Sequence, residues 1–482
     1  MSEPSHVREH FYIGGRWSQP STSSKIDVIS PATEQVIGSV PDAGPADIDA
    51  AVAAARTAFD HSDWPWLSLI DRAEKMRDLA KAMTDRVEDF AHTITAEMGS
   101  VISYSKAGQA PGPIMMLEYY ADLAESVQLK TSRSGVAGEW ALHKQPVGVV
   151  GAIVPWNGPI FLAMYKLAPA LLAGCTVVLK PAPESPLSAY LLAEALDAAG
   201  FPPGVVNIVP GGREAGRHLV RHRDVDKIAF TGSTAAGRTI MVDAAQDLKR
   251  LSLELGGKSA AILLDDIDIN SVLPDIIFGV CQNNGQICVS NSRLLVPRHR
   301  ESEIVEAVAA AMAQQIVGDP FDESSMIGPL VAQRQRDRVL GAIDGAVSDG
   351  STIATGGGRP ADLEKGWYVQ PTVIADVSAD QSVAHDELFG PVLSVIPYDS
   401  DAQAIEIANN TIYGLGSAVF TPDIERAENM AMRIRAGTVN INAHITDFHT
   451  PFGGWKQSGF GHEGGPEALA EYQQTKVVGS YL

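Results

Sequence analysis

The stretch VGVVGAIVPWN, residues 147–157, predicts a short buried strand that runs directly into a turn. Similar apolar runs follow it, separated by segments with helical spacing; they are residues 175–179, 205–209, 227–230 and 260–264. Strands that alternate with helices are typical of a parallel sheet with helices packed on its faces. We therefore predict an α/β fold whose ligand site lies beyond the carboxyl ends of the strands, where Asn157 stands.

A second series of strands after residue 288 predicts a second α/β domain. Its apolar runs are residues 293–296, 392–396, 416–420 and 438–442. Ahead of the first series, residues 45–59 and 70–94 carry apolar side chains at helical spacing, and Gly99 is a natural helix stop. The first hundred residues are therefore expected to be largely helical.

Two segments fit neither series. Residues 128–146 alternate as a paired β ribbon does, and residues 471–482 form a short tail. A ribbon is not stable by itself in water, so this one should pair with another surface, such as that of a second subunit.

The composition is that of an ordinary globular protein. The 482 residues are 45% hydrophobic, which is enough for more than one core, and the formal net charge is −21. This charge repels phosphate backbones and acidic lipid surfaces, so neither nucleic acid nor an anionic membrane is an expected partner.

Several features favour a cytoplasmic protein. Residues 1–10 lack the basic and apolar regions of a secretory signal, and no apolar run approaches the ~20 residues of a spanning helix. Three cysteines are an odd number, which argues against a disulfide framework and fits a reducing compartment.

Among the cysteines, Cys288 has the surroundings expected of a nucleophile. It ends the polar loop NNGQIC, residues 283–288, which brings several backbone N–H groups near a thiol with little steric cover. A thiolate is a strong nucleophile toward a carbonyl carbon. Cys175 and Cys281 lie in apolar segments, and we interpret them as buried core residues.

Two other side chains could assist an attack on a carbonyl group. Asn157 offers an amide N–H₂ to a developing oxyanion, although it could instead satisfy its own turn. Glu254 lies in an apolar strand before a pair of glycines, where partial burial would raise its pKa toward that of a general base. The alternative for Glu254 is a core ion pair with Lys258.

A redox reaction would also need a cofactor. Residues 230–234, FTGST, follow a predicted strand and open a helix, so backbone N–H groups and Ser233 could hold a pyrophosphate. The G-x-G-x-x-G fingerprint follows none of the strands, so this pattern permits a dinucleotide without requiring one. No metal site is predicted.

Taken together, these segments resemble the aldehyde dehydrogenase superfamily in their order and separations over nearly the whole chain. The motifs that carry the resemblance are Pro155-Trp156-Asn157, Phe230-Thr231-Gly232-Ser233, Glu254-Leu255-Gly256-Gly257-Lys258, Gly285-Gln286-Ile287-Cys288, Glu387-Leu388-Phe389-Gly390-Pro391-Val392 and Pro451-Phe452-Gly453-Gly454-Trp455-Lys456-Gln457-Ser458-Gly459. The resemblance implies NAD(P)-dependent, non-phosphorylating oxidation of an aldehyde to its carboxylate.

The resemblance also implies roles for individual residues. Cys288 would be the nucleophile, Glu254 the base that activates water, and Asn157 with the Cys288 N–H the oxyanion hole. Lys180 would contact the adenosine ribose, Ser233 the pyrophosphate, and Glu387 with Phe389 the nicotinamide side. The complete expected cofactor set is Val154, Pro155, Trp156, Lys180, Glu184, Gly212, Phe230, Thr231, Gly232, Ser233, Leu255, Gly256, Glu387 and Phe389.

The family's architecture implies a Rossmann-type cofactor domain of residues 1–127 and 147–254 and an α/β catalytic domain of residues 255–440. The ribbon, residues 128–146, and the C-terminal segment, residues 441–482, would serve oligomerisation. A homodimer or homotetramer is expected.

One departure from the family pattern concerns the cofactor. Many relatives that prefer NAD place a glutamate three residues after the ribose lysine, but here that residue is Pro183 and Glu184 follows it. No arginine or further lysine lies nearby in the sequence to bind a 2′-phosphate, and Glu184 would repel one. NAD is therefore the expected cofactor, with NADP left open.

The expected substrate pocket is mostly apolar. Gly158 stands where many relatives have an aromatic residue, which predicts room for a bulky or branched aldehyde. His444, Asp447 and His449 belong either to this pocket or to a surface loop. The expected pocket residues are Gly158, Leu162, Tyr165, Ile287, Val289, Thr446 and Phe452.

Two other functions stay open at this point. A coenzyme A-acylating semialdehyde dehydrogenase would release the thioester to coenzyme A, but such relatives typically lack the base at Glu254. A non-catalytic binding protein of the same fold would normally have lost the nucleophile, the base or the oxyanion donor, and all three are present here.

Overall fold

The computed structural model describes residues 6–136 and 138–479. Three of the predictions fall partly outside the described residues. They are the absence of a secretory signal over residues 1–10, the ribbon at residue 137 and the C-terminal tail at residues 480–482. Within the described ranges, no helix combines the length and apolar character needed to cross a bilayer.

The strands are numbered here in chain order: His6–Val7 (β1), Phe11–Ile13 (β2), Arg16–Ser18 (β3), Lys25–Ile29 (β4), Val36–Pro41 (β5), Lys130–Gly135 (β6), Gly138–Pro146 (β7), Val149–Ile153 (β8), Thr176–Lys180 (β9), Val206–Ile208 (β10), Lys227–Thr231 (β11), Arg250–Glu254 (β12), Ala260–Leu263 (β13), Arg293–Pro297 (β14), Thr352–Thr355 (β15), Thr372–Ala375 (β16), Val392–Tyr398 (β17), Gly416–Phe420 (β18), Thr438–Ile441 (β19), Gly459–Phe460 (β20) and Gln473–Gly479 (β21).

The helices are Pro45–His61 (α1), Leu69–Thr84 (α2), Val87–Met98 (α3), Ile102–Tyr104 (α4), Pro111–Leu123 (α5), Pro159–Ala173 (α6), Leu187–Ala198 (α7), Arg213–Arg221 (α8), Thr234–Ala244 (α9), Ile269–Cys281 (α10), Glu301–Ala313 (α11), Gln333–Ser348 (α12), Ser382–His385 (α13), Asp401–Asn409 (α14), Ile424–Ala431 (α15) and Gly465–Glu471 (α16).

The N-terminal region is only partly helical. Helix α1 begins at Pro45 as predicted, and Gly99, with a φ of +80°, ends α3. The run over residues 70–94 is not one helix, because the chain breaks between α2 and α3 while the apolar spacing stays in phase. The expectation of a largely helical first hundred residues is wrong, since β1 to β5 precede α1; strands of two to six residues are too short to reveal a period of two.

The first large sheet has eight strands in the order β20-β12-β11-β8-β9-β10-β2-β3. Its central strands are parallel, so their carboxyl ends meet at one edge. The register there sets Ile153 beside both Lys180 and Phe230, and Thr231 beside Glu254. Four predicted site residues thus lie along a single edge.

The second large sheet has seven strands in the order β15-β16-β17-β14-β13-β18-β19, parallel except for β15. Strand β13 lies inside this sheet, so assigning residues 260–264 to the first series is wrong; β12 takes that place in the first sheet. All of β13 and the last three residues of β12 are buried, and the pattern cannot tell which sheet a strand joins. The linker between β12 and β13 carries the chain from one sheet to the other.

The predicted ribbon is formed by β6 and β7. It pairs with the chain's own tail, because β21 runs antiparallel to β7 from Gln473 opposite Pro146 to Gly479 opposite Trp140. The tail is therefore the third strand of the ribbon sheet. The ribbon finds its partner surface within the same chain.

Candidate active site

The loop that presents Cys288 follows the end of α10. Asn283 and Asn284 have φ values of +52° and +61°, a left-handed conformation that asparagine tolerates better than most residues, and Gly285 continues it at +74°. The Asn284 amide donates to the carbonyls of Gly99 (2.8 Å) and Pro329 (3.0 Å). These bonds fix a sharp turn that delivers Cys288 to the cleft between the two large sheets.

The Cys288 thiol is half-buried, whereas Cys175 and Cys281 are buried, as expected of core residues. Burial raises the pKa of the Cys288 thiol far above its usual range, and the carboxylates of Glu387 and Glu254 raise it further. The backbone N–H groups of Val289 and Cys288 act in the opposite direction. The sulfur therefore lies among polar groups but needs a base to become a thiolate.

Asn157 lies just beyond β8 and is only 8% exposed. Its side-chain nitrogen donates to the carbonyl of Gln286 in the nucleophile loop (2.9 Å), and its own carbonyl accepts from Asn283 (2.7 Å) and Gln109 (3.0 Å). The alternative that Asn157 satisfies its own turn is wrong. An amide nitrogen has two protons, so one remains to face a reacting oxygen.

Glu254 ends β12 and is 3% exposed, and neither of its carboxylate oxygens has a close hydrogen-bond partner among the described residues, although the N–H of Gly454 is near enough to act to lower its pKa. Burial raises its pKa well above the usual value, and Glu463 adds to that effect while Lys166 opposes it. The amine of Lys258 also lacks a hydrogen-bond partner, so the alternative of a Glu254–Lys258 pair is wrong. Glu254 is thus a buried carboxyl that is free to accept a proton.

A buried ion pair lies beside Glu254. Lys166 of α6 pairs with Glu463, both side chains are almost fully buried, and the lysine amine also donates to the Thr231 hydroxyl (2.6 Å). The sequence patterns gave no sign of this pair, because its two members are 297 residues apart. The pair ties α6 to the C-terminal segment beside the base, and its two charges act on the pKa of Glu254 in opposite directions.

A cleft of about 370 Å³ opens on the other side of Cys288. This volume is within the range of small-molecule sites. The cleft brings together many of the predicted residues with others that were not predicted. Its lining is Pro155, Trp156, Asn157, Thr231, Gly232, Ser233, Leu255, Gly256, Cys288, Val331, Arg334, Gln335, Arg338, Glu387 and Phe389.

Glu387 and Phe389 close one end of the cleft. Glu387 accepts a hydrogen bond from the Gly257 N–H (3.0 Å), and burial raises its pKa to about 7. A Cβ at Gly256 would overlap the Glu387 carboxylate, so any larger residue there would displace that side chain. Phe389 has a φ of +61°, a rare conformation for a bulky residue, and its ring meets Trp156 edge-on at 5.3 Å.

The remaining predicted cofactor residues do not line this cleft. Val154 and Phe230 are buried beside it, and Lys180 ends β9 with its amine donating to the carbonyls of Pro181 (2.8 Å) and Gly211 (2.9 Å). The N–H of Gly212 donates to Asp42 (3.1 Å). Lys180 and Gly212 therefore lie together farther along the strand edge.

Glu184 forms an ion pair with Arg334, which overturns the expectation that no arginine stands near it. Arg334, Gln335 and Arg338 come from the first turns of α12, about 150 residues away in sequence. A signal was present, since QRQRDR, residues 333–338, concentrates three arginines in a strongly acidic chain. Such a run is usually a solvated helix face and does not by itself predict a site.

On the substrate side, Tyr165 and Phe452 stack at 6.3 Å, and Tyr165 lies close enough to Cys288 and Glu254 for their charges to raise its pKa. A Cβ at Gly158 would lie 3.3 Å from Leu162. These four residues lie together. Ile287 is half-buried beside the nucleophile.

The structure does not join two of the expected pocket residues to this group, and their place in the pocket stays a prediction. Val289 is buried and packs against β18, where a Cβ added to Gly416 would lie 3.6 Å from the Cβ of Val289. Thr446 is exposed. His444 is buried against Asn291 (3.0 Å), and burial lowers its pKa to about 4. Asp447 and His449 pair with each other on the surface.

Phe161 is a pocket residue that the sequence did not reveal. A Cβ on Gly112 would overlap its ring, and the ring lies 5.4 Å from Tyr165. Phe161 thus occupies space that a side chain at residue 112 would otherwise fill. Its position depends on a glycine in α5, which no local pattern around Phe161 discloses.

Comparison with known proteins decides the family. The model of the aldehyde dehydrogenase family matches residues 17–478. The chain belongs to this family. The resemblance drawn from the six motifs and the predicted fold class are therefore confirmed.

Members of the aldehyde dehydrogenase family match almost the whole chain. Geranial dehydrogenase of Castellaniella defragrans is 43% identical over 98% of each chain. An aldehyde dehydrogenase of Mycobacterium tuberculosis, solved with NAD⁺, is 45% identical over 98% of each chain with a TM-score of 0.97. Aldehyde dehydrogenase C of Pseudomonas syringae, a cysteine-to-alanine mutant solved with NAD⁺ and octanal, is 39% identical over 98% of this chain and 97% of that chain, with a TM-score of 0.96.

Proposed function

We propose that this aldehyde dehydrogenase oxidises a bulky or apolar aldehyde to its carboxylate with NAD, through a thioester on Cys288. The observation that carries the proposal is the arrangement around Cys288: an oxyanion donor at Asn157 on one side and an unpaired, buried acid at Glu254 on the other. A thiol, a donor and a base in one place are the groups that acyl chemistry at a carbonyl needs.

The reaction would begin when Glu254 takes the Cys288 proton and the sulfur attacks the aldehyde carbon. The new oxyanion would face the second amide proton of Asn157 and the Cys288 N–H. When the C–O double bond re-forms, the aldehyde C–H bond breaks, and bound NAD supplies the acceptor for the hydride. A thioester remains on Cys288.

Hydrolysis of the thioester would complete the cycle. Glu254 first releases to solvent the proton that it took from Cys288. It then takes a proton from water, the resulting hydroxide adds to the thioester carbon, the C–S bond breaks, and the thiolate recovers the proton from Glu254. The carboxylic acid leaves and loses its proton to solvent, so each turnover consumes one water and one NAD and releases two protons. A raised pKa suits Glu254 to this work, because a base is most effective when its pKa lies near the working pH.

The residues of the cleft fit a dinucleotide. Ser233 caps helix α9, which begins at Thr234, and the amino end of this helix lies at the cleft, as in pyrophosphate sites. Arg334 and Arg338 line the cleft as cations, and Glu387 offers a carboxylate to a ribose. Lys180 and Gly212 lie farther along the same edge, where the adenosine would extend.

The preference for a bulky or apolar aldehyde is supported by the pocket and by two relatives. Leu162, Tyr165, Phe452 and Phe161 are the side chains grouped there, and Gly158 adds no bulk. One similar protein is named for geranial and another was solved with octanal. Both are apolar aldehydes.

The test is NADH formation from geranial, octanal, benzaldehyde, propanal and succinic semialdehyde, with and without coenzyme A. We expect higher kcat/KM for geranial and octanal than for propanal or the semialdehyde, and no requirement for coenzyme A. A preference for the semialdehyde contradicts the pocket assignment. Dependence on coenzyme A contradicts the role of Glu254 in hydrolysis.

We further propose a homodimer or homotetramer, with residues 1–127 and 147–254 as the cofactor domain, 255–440 as the catalytic domain, and the ribbon and C-terminal segment contributing to assembly. Support comes from the exposed strands β6 and β21 and from exposed apolar residues at the end of α9, among them Val242 and Leu248. Light scattering measures the assembly. The three free thiols favour a cytoplasmic location.

A further inference from the structure

The ion pair between Glu184 and Arg334 bridges two parts of the molecule. Glu184 lies in the loop that follows β9 of the first sheet, and Arg334 is the second residue of α12. The Glu184 side chain is 20% exposed, whereas that of Arg334 is 67% exposed and lines the cleft with Gly232 and Ser233. The Arg334 guanidinium thus lines the cleft while it is paired with the Glu184 carboxylate.

The position of Glu184 is one where nucleotide-binding sheets read the adenosine ribose. At the carboxyl end of the second strand of such a unit, an acid binds the 2′-hydroxyl of NAD, and an arginine nearby accommodates the 2′-phosphate of NADP. Strand β9 is second in this sense, since it lies beside β8 with Lys180 next to Ile153. Glu184 follows four residues later and is near enough to raise the pKa of Lys180, against a larger lowering by burial.

Both side-chain types that discriminate NAD from NADP are therefore present at this place, paired with each other. We propose that Glu184 and Arg334 form a cofactor-selectivity pair, in which Arg334 is a 2′-phosphate acceptor that Glu184 neutralises. Glu184 lowers the affinity for NADP in two ways. Its carboxylate repels the 2′-phosphate, and its ion pair with Arg334 keeps the guanidinium from binding that phosphate. This inference rests on the proposed use of a nicotinamide dinucleotide.

Removing one charge at a time gives opposite results for NADP. With Glu184→Gln, the repulsion disappears and Arg334 is released to bind a phosphate. With Arg334→Gln, Glu184 is left unpaired and the acceptor is lost, so NADP should bind more weakly than to the unaltered protein. NAD carries a 2′-hydroxyl in place of the phosphate, so Glu184→Gln should weaken its binding, the opposite of the effect on NADP, because an amide accepts a weaker hydrogen bond than a carboxylate.

The experiment measures equilibrium dissociation constants of NAD⁺ and NADP⁺ by quenching of tryptophan fluorescence, since Trp156 lines the cleft. The proteins are the unaltered chain, Glu184→Gln, Arg334→Gln, the double variant, and Glu306→Gln. Glu306 is an exposed carboxylate on α11, so this control removes the same charge at a distance from the pair.

We expect Glu184→Gln to lower the Kd of NADP⁺ at least tenfold while the Kd of NAD⁺ does not fall. Arg334→Gln should raise the Kd of NADP⁺ at least threefold, the double variant should lose the gain, and Glu306→Gln should match the unaltered chain. A gain that survives in the double variant, or an NADP⁺ affinity that neither single change alters, overturns the inference. If the unaltered chain binds neither nucleotide, the proposed function falls with it; if it binds NAD⁺ and the variants do not shift NADP⁺, the inference alone falls.

Discussion

The charged groups on the two sides of Cys288 differ in burial and in pairing. On the substrate side, Glu254 is buried with no side-chain partner among the described residues, and the charges that act most on its pKa are those of the buried pair of Lys166 and Glu463. On the cofactor side, Arg334 pairs with Glu184 in partly exposed surroundings. A buried, unpaired acid is costly to fold and changes its protonation readily, whereas an exposed pair costs little and exchanges partners easily. The first arrangement suits proton transfer and the second suits the binding of a charged ligand.

The largest loss of activity should follow from changing Cys288, which lies between the two sides. Cys288→Ala removes the nucleophile, so kcat for aldehyde oxidation should fall by more than about 10⁴-fold. The affinity for NAD⁺, measured by fluorescence, should change little because the cleft keeps its charged groups. Retention of more than a hundredth of the activity would show that the chemistry does not pass through this thiol.

Glu254→Gln tests the substrate side. Loss of the general base should lower kcat about 10²- to 10⁴-fold. If Glu254 acts mainly in hydrolysis, rapid mixing should show a burst of one NADH per subunit followed by slow turnover. A uniformly slow reaction without a burst would instead place Glu254 at the deprotonation of Cys288.

The pH dependence of the Tm of Glu254→Gln tests whether burial of this acid destabilises the folded protein. The pKa of Glu254 is raised in the folded state, so the folded chain binds more protons than the unfolded chain above pH 4.5, and ionisation destabilises it as the pH rises. Glu254→Gln should therefore have a higher Tm than the unaltered protein at pH 8, and the difference should vanish near pH 4.5. Equal Tm values at pH 8 would contradict the raised pKa.

Glu387→Gln tests the cofactor side. A hydrogen bond to a charged group contributes about 1.5–3 kcal/mol, so the Kd of NAD⁺ should rise about 10- to 100-fold. The pKa of Glu387 is raised to about 7, so the affinity of the unaltered protein for NAD⁺ should increase as the pH rises through 7. The variant should lack this dependence, and a retained dependence would assign it to another group.

The smallest expected effect concerns pocket size. Gly158→Phe would fill space beside Leu162, where even a Cβ lies 3.3 Å away. A few methylene groups change discrimination by about 10-fold or more, so the ratio of kcat/KM for octanal to that for propanal should fall about 10-fold. An unchanged ratio would show that substrates do not pass Gly158.

The sequence predicted the parts of the molecule that depend on local patterns. The alternation of strands and helices located most strands of both sheets, and the motifs around Asn157, Glu254 and Cys288 identified residues that the fold brings together. The short strands before α1 were missed because two to six residues do not establish a period. Strand β13 was assigned to the wrong sheet because burial on both faces looks the same in either sheet.

The charged partners could not be predicted, for a different reason. Arg334 meets Glu184 and Glu463 meets Lys166 only through the tertiary fold, across 150 and 297 residues. Charged side chains of a helix are normally solvated, so neither the arginine run around Arg334 nor the lone Lys166 by itself predicts a site. The sequence could therefore identify the reacting groups better than the charges that surround them.

The order in which the ribosome makes the chain has a consequence for Lys166. Lys166 leaves the ribosome early and is buried as part of α6, whereas its ionic partner is Glu463, near the end of the chain. A buried charge without its partner costs about 3–5 kcal/mol. Until residue 463 is available, the packing of the first sheet around α6 lacks this stabilisation. In ribosome complexes stalled on a chain with a C-terminal extension, we therefore expect the protease resistance of this region to increase when Glu463 leaves the exit tunnel.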